Sequence, residues 1–160
     1  MLPGTLTRPP GWTRGRRVGT LPGMAASLSH VTVDSQDAYA QSLFWSAVLG
    51  WAQDAEDPNE PGHEECLVMA PDGRQRLLFI EVPEAEVGKN RLHLDLRPTT
   101  GTRDAELLRL LELGAVVVED RRRPDGGGWF VLADPEGNEF CLLRGAAEGS
   151  AGADGAAAAQ

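Results

Sequence analysis

Three landmarks recur along this chain at a nearly constant interval. His30 and His93 lie 63 residues apart, Gly50 and Gly114 lie 64 apart, and Gly73 and Gly137 lie 64 apart. The first pair sits in strand-like segments, the second at helix ends and the third in turns. An interval kept across three kinds of local structure predicts an internal duplication. The fold must therefore be built from two copies of one supersecondary unit.

The unit can be read from its parts. Residues 90–97, NRLHLDLR, alternate strictly, with Leu92, Leu94 and Leu96 on one face and Arg91, His93, Asp95 and Arg97 on the other. That is the period of a strand with one face on a core and a polar face to be solvated, paired or used. Residues 29–34, SHVTVD, repeat the theme: Val31 and Val33 oppose His30, Thr32 and Asp34. Ser35 is then the expected N-cap of a helix over 36–49. Tyr39, Leu43, Phe44, Ala47 and Val48 recur at helical spacing to give it an apolar face, and Gly50 ends it. An acidic loop containing Pro58, Pro61 and His63 leads to strands over 65–70 and 77–82, joined at a Pro71–Asp72–Gly73 turn. The second copy follows NRLHLDLR with a helix over 103–113, closed by Gly114, and strands over 115–119, 129–133 and 139–143. The order is strand, helix, three strands, then the same again. This predicts an α+β fold of two βαβββ repeats, about 28–82 and 91–144, whose curved sheets form a cup lined by their polar faces.

Composition sets the boundaries. Residues 1–25 are rich in Gly, Pro and Arg and carry four arginines without an acid; they are expected to be a disordered basic leader, with Met24 as an alternative start to Met1. Residues 146–160 read as a disordered tail, leaving one domain over 26–145. The chain has a net charge of −9 despite its basic leader, so the domain is strongly acidic and a nucleic-acid partner is disfavoured. No apolar run approaches the roughly 20 residues of a membrane-spanning helix, so no membrane association is expected. Two cysteines, Cys66 and Cys141, without a CxxC argue against a disulfide framework and make the cytoplasm the expected compartment.

With the repeat in hand, SHVTVD, FWSAVLGW (44–51), NRLHLDLR and WFVLADPEGNEFCLL (129–143) together resemble the vicinal oxygen chelate superfamily. That superfamily includes glyoxalase I, extradiol dioxygenases, and fosfomycin- and bleomycin-resistance proteins; the match is to its glyoxalase-like subgroup. The resemblance implies a small-molecule ligand in the cup and a homodimer. It also implies a divalent metal (Zn, Fe, Mn or Ni) held by His30 on the first strand, His93 on the fifth and a residue of the eighth. Relatives place Glu at that third position, whereas Cys141 stands there in this chain. Glu139 shares its face one pleat away, offset by about 7 Å. Glu81 is the candidate for a further ligand on the fourth strand.

Besides a regulatory or accessory module in which the cup is vestigial, two readings follow. In one, the metal supports lyase, isomerase or dioxygenase chemistry, with Glu139 and Asp95 as candidate bases. In the other, the cup sequesters a drug or metabolite without metal, as bleomycin-resistance relatives do. Arg91 and Arg97 are candidates for binding an anionic substrate, with Thr32 and Trp129 as further contacts. Pairing of Asp95 with Arg91 or Arg97 is the simpler expectation for these charges. Trp45 is expected in the core, Cys141 as a small buried hydrophobe in the absence of metal, and 121–123 as a solvated run of arginines.

Overall fold

A computed structural model of the chain describes residues 26–148. The first unit comprises β1 (Val31–Ser35), α1 (Ala38–Leu49), β2 (Glu65–Met69) and β3 (Arg76–Glu81). The second comprises β4 (Asp95–Leu96), α2 (Arg103–Glu112), β5 (Val116–Asp120), β6 (Trp129–Ala133) and β7 (Glu139–Leu143), followed by a 3-10 turn, Ala146–Glu148. The sheets run β1-β3-β2 and β4-β7-β6-β5. In each, the first strand of the unit lies parallel to the last, which pairs antiparallel with the strand before it.

The strand registers carry the duplication in detail. Thr32↔Leu78 and Val33↔Phe79 recur 63 residues later as Asp95↔Cys141 and Leu96↔Leu142. Ala52↔Met69 recurs 64 residues later as Val116↔Ala133. The interval shortens by one after the hairpin turn. The turn closed by Ala70 and Gln75 has its counterpart between Asp134 and Asn138, one residue tighter. That Ala52–Met69 bridge is all that remains in the first unit of the strand corresponding to β5. Three consecutive valines, strong strand formers, build β5, whereas the segment after Ala52 is acidic and contains proline.

Two expected boundaries move for physical reasons. The helix cap is Asp37, whose Oδ1 accepts from the Ala40 amide at 2.8 Å, while Ser35 is buried as the last residue of β1. The strand expected over 90–97 survives only as Asp95–Leu96. Upstream, the Asn90 side chain accepts from the Glu139 amide at 3.3 Å and takes a bond the ladder would have used. The chain bends away there and leaves Leu92 82% exposed.

One core serves both units. Val68, Leu77 and Phe79 from the first sheet join Phe130, Leu132, Phe140 and Leu142 from the second, together with Trp45 and Leu110 of the helices. Trp45 is 3% exposed, as expected of a core residue; its ring meets Phe140 edge-on at 5.1 Å, and its Nε1 donates to Asp134 Oδ2 at 3.2 Å. The second unit also holds α1 at both ends. Glu136 accepts from the Gln36 and Asp37 amides at 2.8 and 2.9 Å. Arg109 donates to the Ala47 and Val48 carbonyls at 2.9 and 2.8 Å. An anion thus sits at the N-terminus of the helix dipole and a cation at its C-terminus, charges that α1's own end turns lack. Because the core lies on the helix side of each sheet, the opposite faces stay open: Thr32, Asp34 and Asp95 are exposed on them.

Candidate functional site

The outward face of the second sheet is organised around Cys141. It lies between buried Phe140 and Leu142 on β7 and so points away from the core, opposite Asp95 in the register. Burial, then the charge of Asp95 and its hydrogen bond with the thiol, push the Cys141 pKa up to about 11, with Glu139 adding to the effect. The group is a protonated thiol at neutral pH and a poor nucleophile. Trp129, half-buried on β6, has the Arg121 guanidinium 6.0 Å from its ring centroid, and Arg121 is paired with Glu119 at 2.8 Å. Arg122 lies 4.4 Å over the Phe130 ring and is bonded to Asp120, whose carboxyl it holds down at about 2. The arginine run stays solvated as expected, while its members pair with neighbouring acids at the strand ends.

A second feature opens at the seam of the two units. A cleft of about 620 Å³ lies among the start of β1, the end of α1, the start of β3, β4 and the first turns of α2. Ligand sites commonly enclose roughly 300–1,000 Å³. Of the residues expected from sequence to form a site, the cleft gathers His30, Asp95 and Arg97. His30 is exposed, with Nδ1 3.1 Å from Ser29 Oγ. Arg97 donates to the Arg144 carbonyl at 2.7 Å. Thr32, Arg91, His93, Trp129, Glu139 and Cys141 are not part of its wall; Arg91 and His93 are exposed in the bend before β4. Trp51, whose indole the sequence offered for stacking on a planar ligand, does line it, as do Arg76 and Arg109, which sequence reasoning missed. The RQR run at 74–76, in an otherwise acidic domain, was the available signal.

His30, His93 and Cys141 do not converge. Among the described residues no three His, Cys, Asp or Glu side chains come together as a metal-binding group. The donor set of one chain therefore does not fit the divalent ion that the resemblance implied.

The sequence matches the glyoxalase-like domain over residues 30–143. The chain belongs to this family. The fold agrees with that of solved members of the glyoxalase, bleomycin-resistance and dioxygenase superfamily. One is a family enzyme from Burkholderia phytofirmans (19% identity, TM-score 0.57, covering 73% of this chain and 97% of that one). Another is a possible glyoxalase from Bacillus cereus (17% identity, TM-score 0.53, covering 74% and 99%). A third is a mutant of the fosfomycin resistance protein FosX from Listeria monocytogenes (17% identity, TM-score 0.57, covering 76% and 92%), solved with Mn(II) and a dihydroxypropylphosphonic acid. At these identities the likeness shows the fold, and the fold hosts many chemistries. A comparison with curated proteins returned no match. No helix among the described residues of this glyoxalase-like chain is long and apolar enough to cross a membrane.

Proposed function

We propose that this glyoxalase-like protein binds a small organic molecule in the cleft at the seam of its two units. The observation that carries the reading is the cleft itself. Its volume is that of a ligand site, and both units contribute to it, so a bound molecule would bridge the duplicated halves. The binding requires no metal gathered by His30, His93 and Cys141. The reading is tested by a thermal-shift screen of small molecules on the full chain beside Ala47→Trp. Ala47 is an exposed helix residue on the cleft wall, so an indole there fills the space without entering the core. A compound that raises the Tm of the parent chain but not of Ala47→Trp supports the reading. Stabilisation that survives the plug refutes it.

A second reading is favoured by one observation: His30 and His93 lie on or beside the open faces of two different sheets. A second copy covering those faces would complete a cup from two chains and bring the histidines of one to the donors of the other. Metal-dependent chemistry with Asp95 or Glu139 as base belongs to this homodimeric arrangement. Metal analysis of protein purified without tag or chelator, for the parent chain and His93→Ala, separates the readings. Near-stoichiometric metal in a dimer, lost on mutation, supports the second. A chain that takes up no added divalent ion sinks it.

A further inference from the structure

We propose that the seam cleft selects an organic carboxylate: an acid group carried on an aromatic or branched aliphatic body. This rests on the reading that the cleft is the ligand site, and it names the class of ligand.

The first argument is charge. The chain is −9 overall, yet four arginines (Arg74, Arg76, Arg97 and Arg109) line the cleft against two carboxylates, Asp95 and Glu106. Both acids are engaged. Glu106 holds Arg109 through contacts of 2.6 and 3.0 Å, and Asp95 is hydrogen-bonded to Cys141. Arg109 also donates to α1's last carbonyls through both terminal nitrogens, so the negative end of that helix, which would repel an anion, is already covered. Arg74 stands 3.9 Å from Asp72 and is widely exposed. Arg76 differs. Its Nε donates to the Gly73 carbonyl at 3.2 Å, and its guanidinium meets no carboxylate among the described residues. A guanidinium anchored through Nε and presenting its terminal amino groups is suited to grip a carboxylate by two parallel hydrogen bonds. His30, Ser29 and Thr99 add polar groups to the wall.

The second argument is the rest of the wall. Val31, Val48, Leu77, Leu94 and Leu96 line the cleft, with the Trp51 indole beside them. An inorganic anion would leave that surface wet and most of the volume unfilled. An apolar body attached to the acid covers it and gains the usual burial energy.

The test uses calorimetry on the full chain with matched probes: naphthylacetate, its neutral amide naphthylacetamide and the cation naphthylethylamine, with the same three groups on a cyclohexyl skeleton. The acids are expected to bind at least about tenfold tighter than the amides, and the amines more weakly still. Arg76→Ala, an exposed position whose folding is checked by circular dichroism, is expected to abolish the preference for acid over amide. Binding of all probes is expected to vanish in Ala47→Trp. If the amides or amines match the acids while Ala47→Trp still abolishes binding, the cleft is the site and the carboxylate assignment is overturned. If the acids bind equally to Ala47→Trp, or if no probe binds the parent chain, the cleft reading falls with it.

Discussion

The joint between the two units makes a quantitative prediction. Trp45 and Asp134 are each 3% exposed, and the indole Nε1 donates to Asp134 Oδ2 at 3.2 Å. The same carboxylate organises the β6–β7 turn. Its Oδ1 accepts from the Glu136 and Asn138 amides at 3.0 and 2.9 Å, and its Oδ2 accepts from Asn138 Nδ2 at 3.0 Å. Trp45→Phe removes one buried hydrogen bond to a charged acceptor, about 1.5–3 kcal/mol, and some ring packing on Phe140, for a total loss of about 2–4 kcal/mol. Asp134→Ala removes the turn bonds as well and leaves the indole N–H buried without a partner, at a cost of about 3–5 kcal/mol. Asp134→Asn is informative because it keeps the shape. One amide oxygen can still serve the turn, but an NH2 replaces an oxygen that accepts from two donors, so about 2–3 kcal/mol is lost. Urea unfolding of the parent chain, both single variants and Trp45→Phe/Asp134→Ala gives the coupling, expected at about 1.5–2 kcal/mol. Additivity to within about 0.5 kcal/mol would refute the claim that this bond ties the units together. All variants should unfold in a single transition, since the two sheets share one core.

Other perturbations test separate parts of the structure. Gly128→Ala places a Cβ 2.1 Å from the Arg121 carbonyl oxygen at a φ of +79°, whereas Gly50→Ala at +66° meets nothing within 4 Å. The first should cost more than about 2 kcal/mol and the second about 1, and equal Tm losses would show that the 121–128 loop yields freely. Arg109→Met removes the Glu106 ion pair and both α1 carbonyl caps, for an expected loss of about 1–2 kcal/mol that 0.5 M NaCl (roughly a 4 Å screening length) reduces only in part; an unchanged Tm would contradict the capping role. For Cys141 the folded pKa of about 11 lies above the ordinary 9.0. Its contribution, at most about 3 kcal/mol, is therefore complete below pH 9 and lost as pH rises from 9 towards 11. Asp95→Asn removes a charge that raises this pKa, so alkylation of Cys141 by iodoacetamide at pH 8.5 should quicken, and unchanged labelling would argue against the Asp95–thiol contact.

Much of this architecture was legible in the linear pattern. The strands over 129–133 and 139–143, the helical spacing of α1 and α2, the left-handed glycine at the end of α1 (Gly50, φ 66°) and the 63- to 64-residue repeat all follow from local chemistry. These are properties of a residue and its near neighbours, so they survive without tertiary context. Local pattern misled at 90–97. Alternation marked a strand, but a strand needs a partner along its length, and Asn90 displaced the ladder at Glu139. The candidate site divided in the same way. Sequence could nominate His30, His93, Asp95, Arg97 and Cys141 as polar residues on strand faces. Whether such faces meet depends on how two units pack, and packing is decided by the shared apolar core. That core joined the two sheets and both helices, drew His30, Asp95 and Arg97 to one cleft, and left His93 and Cys141 outside it. It also set Arg109, distant in sequence, at the end of α1 and Arg76 on the cleft wall. The chain alone determined the repeated unit, because its period is written in adjacent residues. Tertiary structure decided which residues share a site, because side chains many tens of residues apart meet only once the apolar faces have been buried.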